Sequence, residues 1–119
     1  MITKAANAVT VELPLQPFRV PGGWIVEHNE LRQLEPSQLG ADDPLWCFFT
    51  EDLLQLRAVR RELLLDVGWY PDSDASGSFR AVLLKAQDWD HPLQVCETRT
   101  LADLIQRIEE WLLRPETAS

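Results

Sequence analysis

Two short acidic segments hold the residue types best suited to chemistry. The first, Asp72-Ser-Asp-Ala-Ser-Gly77, alternates oxygen donors ahead of a glycine, as calcium-binding loops do. Asp72 and Asp74 would take the first two ligand positions, and Ser76 stands where a carboxamide or carboxylate is preferred. The pattern then stops: Leu83 occupies the twelfth position in place of a bidentate glutamate, and the flanks read as strands. Turn chemistry reads the same residues as an acidic hairpin turn, and this reading is preferred. The second segment, Asp88-Trp-Asp-His91, sets two carboxylates and an imidazole side by side, ligands that suit hard and borderline cations. The other histidine is His28, so a third ligand would have to come from a loop elsewhere. Here too the turn reading is preferred.

Asp66 stands among apolar neighbours in the run from Leu63 to Tyr70. Facing inward, it would need a partner or a raised pKa and would qualify as a general acid or base. Strand alternation instead groups Leu63, Leu65 and Val67 on one face and Leu64, Asp66 and Gly68 on the other. That places Asp66 outside, opposite Arg80. Cys47 forms a thiol–imidazole pair with His28 or His91 only if the fold brings them together. The sequence contains no G-x-S-x-G elbow, phosphate loop or dinucleotide fingerprint. Five tryptophans are many for 119 residues. Trp24, Trp46, Trp69 and Trp111 have core-compatible spacing, whereas exposed aromatics mark protein contacts. The corner at Gly68, Trp69, Tyr70 and Pro71 is the first place to look for such a contact. Trp89 is expected to fold back on a sheet edge.

The elements that must carry these residues follow from periodicity. Residues 63–70 and 79–86 are apolar runs around a loop of turn formers, which is a β-hairpin. Residues 24–34 read as a strand with one better-buried face, carrying Trp24, Val26 and His28. Residues 46–49 are strand-like through their aromatics. Residues 50–61 fit a helix capped by Thr50 or a strand with Leu54, Leu56 and Ala58 on one face, and the strand is preferred because sequential strands tend to pair. Residues 93–98 form a short strand with Leu93 and Val95 on one face. Thr100 and Asp103 open a helix whose apolar stripe is Leu101, Leu104, Ile105, Ile108, Trp111 and Leu112, and Pro115 stops it. Val9, Val11 and Leu13 alternate like a short edge strand. Pro14, Pro17 and Pro21 then make an extended arm.

The expected fold is therefore α+β: an antiparallel, mostly meandering sheet of about five strands with one C-terminal helix packed on a face. An arm spans 1–22, a single domain 23–114 and a tail 115–119. Net charge is −8, with −1 in residues 1–40 and −7 in residues 41–119. Such a surface repels nucleic acid and anionic lipid, and it steers toward a basic protein. With no signal-like or membrane-spanning run, the chain reads as cytoplasmic. Cys47 and Cys96 are expected in strands as buried thiols without a zinc spacing.

The segments Gly23-Trp-Ile-Val-Glu-His-Asn29, Asp52-Leu-Leu-Gln-Leu56 and Leu65-Asp-Val-Gly-Trp-Tyr-Pro-Asp72, closed by an acidic helix reaching Trp111, resemble a group of small acidic bacterial cytosolic proteins. Some of that group are similar to the immunity partners of secreted toxins. The resemblance transfers no role to a numbered residue; with the acidic charge, the expected function is a non-enzymatic binding protein that occludes a basic partner such as a nuclease toxin, and no cofactor or metal is expected. Asp72, Asp74, Asp88 and Asp90, with Asp42 and Asp43, would pair with the partner's lysines and arginines. Trp69, Tyr70 and Trp89 would anchor the contact. Two alternatives stay open. One is a metal-binding domain or metal-dependent enzyme built on the acidic loops and His91; the other is a homodimer paired through a sheet edge.

Overall fold

Alternation of apolar and polar residues decides most of the strands. A computed structural model describes residues 13–115. Five strands appear in chain order, β1 (Ile25–Asn29), β2 (Leu54–Ala58), β3 (Leu63–Tyr70), β4 (Ser78–Lys85) and β5 (Gln94–Thr98), followed by the helix α1 (Leu101–Leu113). The sheet order equals the chain order, and every pair is antiparallel. The fold is α+β, a five-stranded meander with the C-terminal helix packed against it. The ambiguous segment is a strand, and a 3₁₀ turn at Val59–Arg61 then leads into β3.

Register brings the core residues into rows. Leu56 faces Leu65 and Leu65 faces Leu83; Leu54 faces Val67 and Val67 faces Ala81; Trp69 faces Phe79. All are buried, and so are Leu101, Leu104, Ile108, Trp111 and Leu112 of α1, in the same cluster. Full burial of one such side chain contributes about 1.5–3 kcal/mol, so this layer dominates the stabilising side. Thr100 caps the helix by accepting from the Asp103 N–H at 3.3 Å. At the other end, Trp24 Nε1 donates to the Leu112 carbonyl at 3.0 Å, satisfying a terminal acceptor.

Several expectations are corrected. Residues 46–49 are not a strand: Pro44–Phe48 turn as a 3₁₀ helix. Pro44 presets the first helical φ and Asp43 accepts from Leu45 N–H at 2.9 Å, so cap chemistry overrides aromatic strand propensity. Cys47 consequently leaves the sheet and is exposed, while Cys96 in β5 is half-buried; both are free thiols. The strand expected over 24–34 shrinks to β1, whose side chains Ile25 to His28 are exposed on both faces. A bulge between Val26 and His28 breaks its alternation.

The edge strand expected at Val9 and Val11 lies outside the described residues, as do most of the arm and the tail. From residue 13 the arm is docked. Gln16 N–H donates to Leu31 O at 2.8 Å, Arg19 N–H donates to Glu109 Oε2 at 2.8 Å, and Leu13 and Phe18 pack against the core. Among the described residues, no helix is long and apolar enough to cross a membrane.

Candidate functional site

The hairpin tip is the first candidate, and its carboxylates serve the loop itself. Asp72 Oδ2 accepts from the Glu51 N–H at 3.0 Å, and its Oδ1 accepts from the Ser73 hydroxyl at 2.7 Å. Asp74 Oδ1 accepts from the Ser76 N–H at 2.8 Å and the Ser76 hydroxyl at 2.7 Å, which holds its carboxyl below the usual range. Beneath them Trp69 Nε1 donates to the Asp74 carbonyl at 2.8 Å. The Arg99 guanidinium lies 5.4 Å from the Trp69 ring centroid and donates to the carbonyls of Gly77 and Ala75. Gly77 is obligatory here: a Cβ would come within 2.5 Å of Trp69 Nε1.

Trp69 is fully buried, in edge contact with Phe49 and Phe79. The anchor role expected for it is thus corrected: β3 alternation turns the indole into the core, and no partner reaches it. Tyr70, next along the strand, points the other way and is partly exposed. Burial, then the nearby Asp66, Glu51 and Asp52, raise its phenol pKa, so it stays neutral.

The β4–β5 loop is built differently. Ala86 and Gln87 both adopt left-handed backbone, and the Asp88 N–H closes the turn on Lys85 O at 3.1 Å. Asp88 Oδ1 accepts from the Asp90 N–H at 3.2 Å, and its Oδ2 lies 3.2 Å from His91 Nδ1. Trp89 does not fold away; 55% of it is exposed. Asp88, Asp90 and His91 are all exposed too.

These two acidic loops lie at opposite ends of the eight-residue β4, which at about 3.3 Å per residue puts them roughly 23 Å apart. The structure gathers Tyr70, Asp72 and Asp74 at one end and Asp88, Trp89 and Asp90 at the other, and it does not join the sets. Among the described residues, no group of three or more His, Cys, Asp or Glu side chains is placed to hold a metal ion.

The sheet face away from α1 is a feature that strand alternation alone did not reveal. Leu64, Val82 and Leu84 form a second buried cluster there. Around it Ile25, Leu93 and Val95 remain 49%, 47% and 44% exposed. Register places Asp66 opposite Gln55 and Val82, not opposite Arg80, which faces Gly68. Asp66 is half-buried rather than solvated, because the leucine and valine beside it exclude water. Burial pushes its pKa up, while the Gln55 amide, donating at 3.1 Å, pulls it down. His28, Asp52, Gln55 and Asp66 line a shallow pocket of about 200 Å³. His28 Nε2 sits 2.9 Å from the Asp52 carbonyl, so Nε2 carries the proton and Nδ1 is the acceptor. The pocket can hold a hydrogen-bonding group between His28, Gln55 and Asp66. The sequence alone did not reveal it, because register across three strands brings His28, Gln55 and Asp66 together.

No protein-family model matches the chain, and no curated protein or solved structure matches it either.

Proposed function

We propose that this chain is a cytoplasmic, non-enzymatic protein-binding domain, an immunity-type inhibitor that covers a basic protein partner. One observation carries the reading. The sheet face without a helix keeps Ile25, Leu93 and Val95 in solvent, and the loop entering β5 adds exposed Trp89 between Asp88 and Asp90. Apolar anchors rimmed by carboxylates are the anatomy of a contact surface for a cationic protein. The net charge of −8 supports the same polarity of partner. Of the residues expected from sequence, Asp88, Trp89 and Asp90 border this face. Asp72 and Asp74 act at longer range, as part of the acidic field.

The test is affinity capture from source lysate at low and high salt, followed by reconstitution with the purified partner. A basic protein released by salt should bind the intact chain and lose affinity for Trp89→Ala and for the Asp88→Asn/Asp90→Asn pair. A partner whose binding ignores both variants would rule out this surface.

A further inference from the structure

Among the described residues the sheet has two open edges, and they are unequal. β1 carries a bulge between Val26 and His28, a device that blocks strand addition. β5 has no proline, lysine or arginine within Gln94–Thr98, and its register with β4 runs unbroken from Gln94 to Thr98. Its one charge, Glu97, is tied to Arg80 at 2.9 Å. Among the described residues β5 is hydrogen-bonded to β4 alone, so half of its backbone donors and acceptors point outward.

We infer that β5 pairs with β5 of a second copy of this chain, antiparallel about a two-fold axis at Cys96. The register follows from the side chains. Cys96 meets Cys96 of the second copy, Val95 meets Glu97, and Gln94 meets Thr98. No like charges stand opposite one another, and the amide of Gln94 reaches a hydroxyl. A register centred on Glu97 would set two carboxylates face to face, and one centred on Val95 leaves Glu97 and Thr98 unpaired.

The helix above the edge is complementary under the same axis. α1 packs on β4 and β5, and Asp103, Arg107 and Glu97 are the charges that act on the Cys96 thiol. Two strand steps back from Thr98 to Cys96 cover about 6.7 Å, the rise of four to five helical residues. The helix level with Cys96 is therefore near Ile105, midway between exposed Asp103 and exposed Arg107. A second helix related by the two-fold runs antiparallel beside the first. It brings Asp103 of each copy to Arg107 of the other. These pairs offset part of the mutual repulsion of two chains of charge −8. The pairing leaves the opposite face of the sheet open except along β5, where Val95 belongs to both surfaces; the Cys96 cross-link and the Asp103/Arg107 charge reversal read the dimer apart from the inhibitor reading.

The test uses the full chain in a Cys47→Ser background, since Cys47 is the other, exposed thiol. Light scattering over a concentration series should show a monomer–dimer equilibrium. Mild oxidation with diamide should link the dimer through Cys96, because opposed residues of an antiparallel pair lie within disulfide reach. Val95→Glu puts carboxylates opposite Glu97 at two symmetric places and should weaken the dimer about tenfold. Arg107→Asp should weaken it as well, and Asp103→Arg/Arg107→Asp should restore it, which a structural defect would not do. A chain that stays monomeric at every concentration overturns the inference. So does a dimer that fails to link at Cys96, or one indifferent to Val95→Glu and to charge reversal.

Discussion

The two acidic loops of this protein have similar composition and opposite architecture. In the β3–β4 tip the carboxylates of Asp72 and Asp74 accept hydrogen bonds from Glu51, Ser73 and Ser76, and the neighbouring indole of Trp69 is sunk in the core. In the β4–β5 loop Asp90 and Trp89 stand in solvent. Acidity in the first loop specifies a turn. In the second, Asp88 likewise holds the turn, while the Asp90 carboxylate and the Trp89 indole stand in solvent. The number of aspartates does not distinguish the two; the direction in which the flanking strand turns its tryptophan does.

The sharpest way to break this contrast is to truncate each loop's tryptophan. Trp69→Ala should cost about 3–5 kcal/mol in urea unfolding, because it opens a cavity among Trp46, Phe49 and Phe79. Trp89→Ala should stay within about 0.5 kcal/mol of the parent. Equal losses would mean that Trp89 is packed. Backbone substitutions should separate the loops next. Gly77→Ala forces a methyl against Trp69 Nε1 and Tyr70 O and should destabilise by about 1–3 kcal/mol. Gln87→Gly relieves a left-handed residue at φ 55° and should be neutral or stabilising by up to about 1 kcal/mol. Thermal melts of the two variants should therefore move apart.

A smaller effect concerns association. Neutralising Asp88 and Asp90 should slow binding to the basic partner by up to about tenfold at low salt. Neutralising Asp72 and Asp74 should slow it less, since roughly three Debye lengths at physiological salt separate the loops. Stopped-flow rates at two ionic strengths decide the order. The smallest effect is that of pH on Asp66. Burial raises its pKa in the folded state, so the folded chain holds that proton more tightly than the unfolded chain. The stability this contributes is complete below the ordinary aspartate pKa and is lost as pH rises through the raised value. Asp66→Asn should melt higher than the parent at neutral pH, with the gap closing in acid. Parallel curves of melting temperature against pH would contradict the assignment.

The sequence made the meander legible wherever period and punctuation agreed. Leu63 to Tyr70 is an apolar run interrupted only by Asp66 and Gly68, the Asp-Ser-Asp loop ends it, and α1 shows both its stripe and its Thr100 cap. Residues 46–49 misled because their aromatics favour a strand, while Pro44 and Asp43, just outside the window, dictate a 3₁₀ turn. Of the candidate site, Tyr70 lies exposed at the corner where an exposed aromatic was sought, whereas Trp89, expected to fold back on a sheet edge, stands in solvent. The fate of Trp69 follows from β3 parity, since it falls on the same face as Leu65 and Val67. The Asp66 pocket needed register: only the pairing of Gln55 with Asp66, and of His28 with Gln55, brings three strands to one point. Periodicity within a single strand carries no such information.

The identity of sheet order and chain order has a consequence for how this protein forms. From β2 to β5 each strand finds its neighbour across a short connection, so those pairings close at low loop-entropy cost, whereas β1 reaches β2 only across the long segment between Asn29 and Leu54. The β2–β5 meander is therefore the part of the sheet whose local contacts favour rapid formation. Assembly can proceed like a ribbon folded back and forth. The helix follows the strands and lays Leu104, Ile108, Trp111 and Leu112 on the buried face of the sheet. Until residues 101–113 have emerged, the part of that face beneath them stays wet.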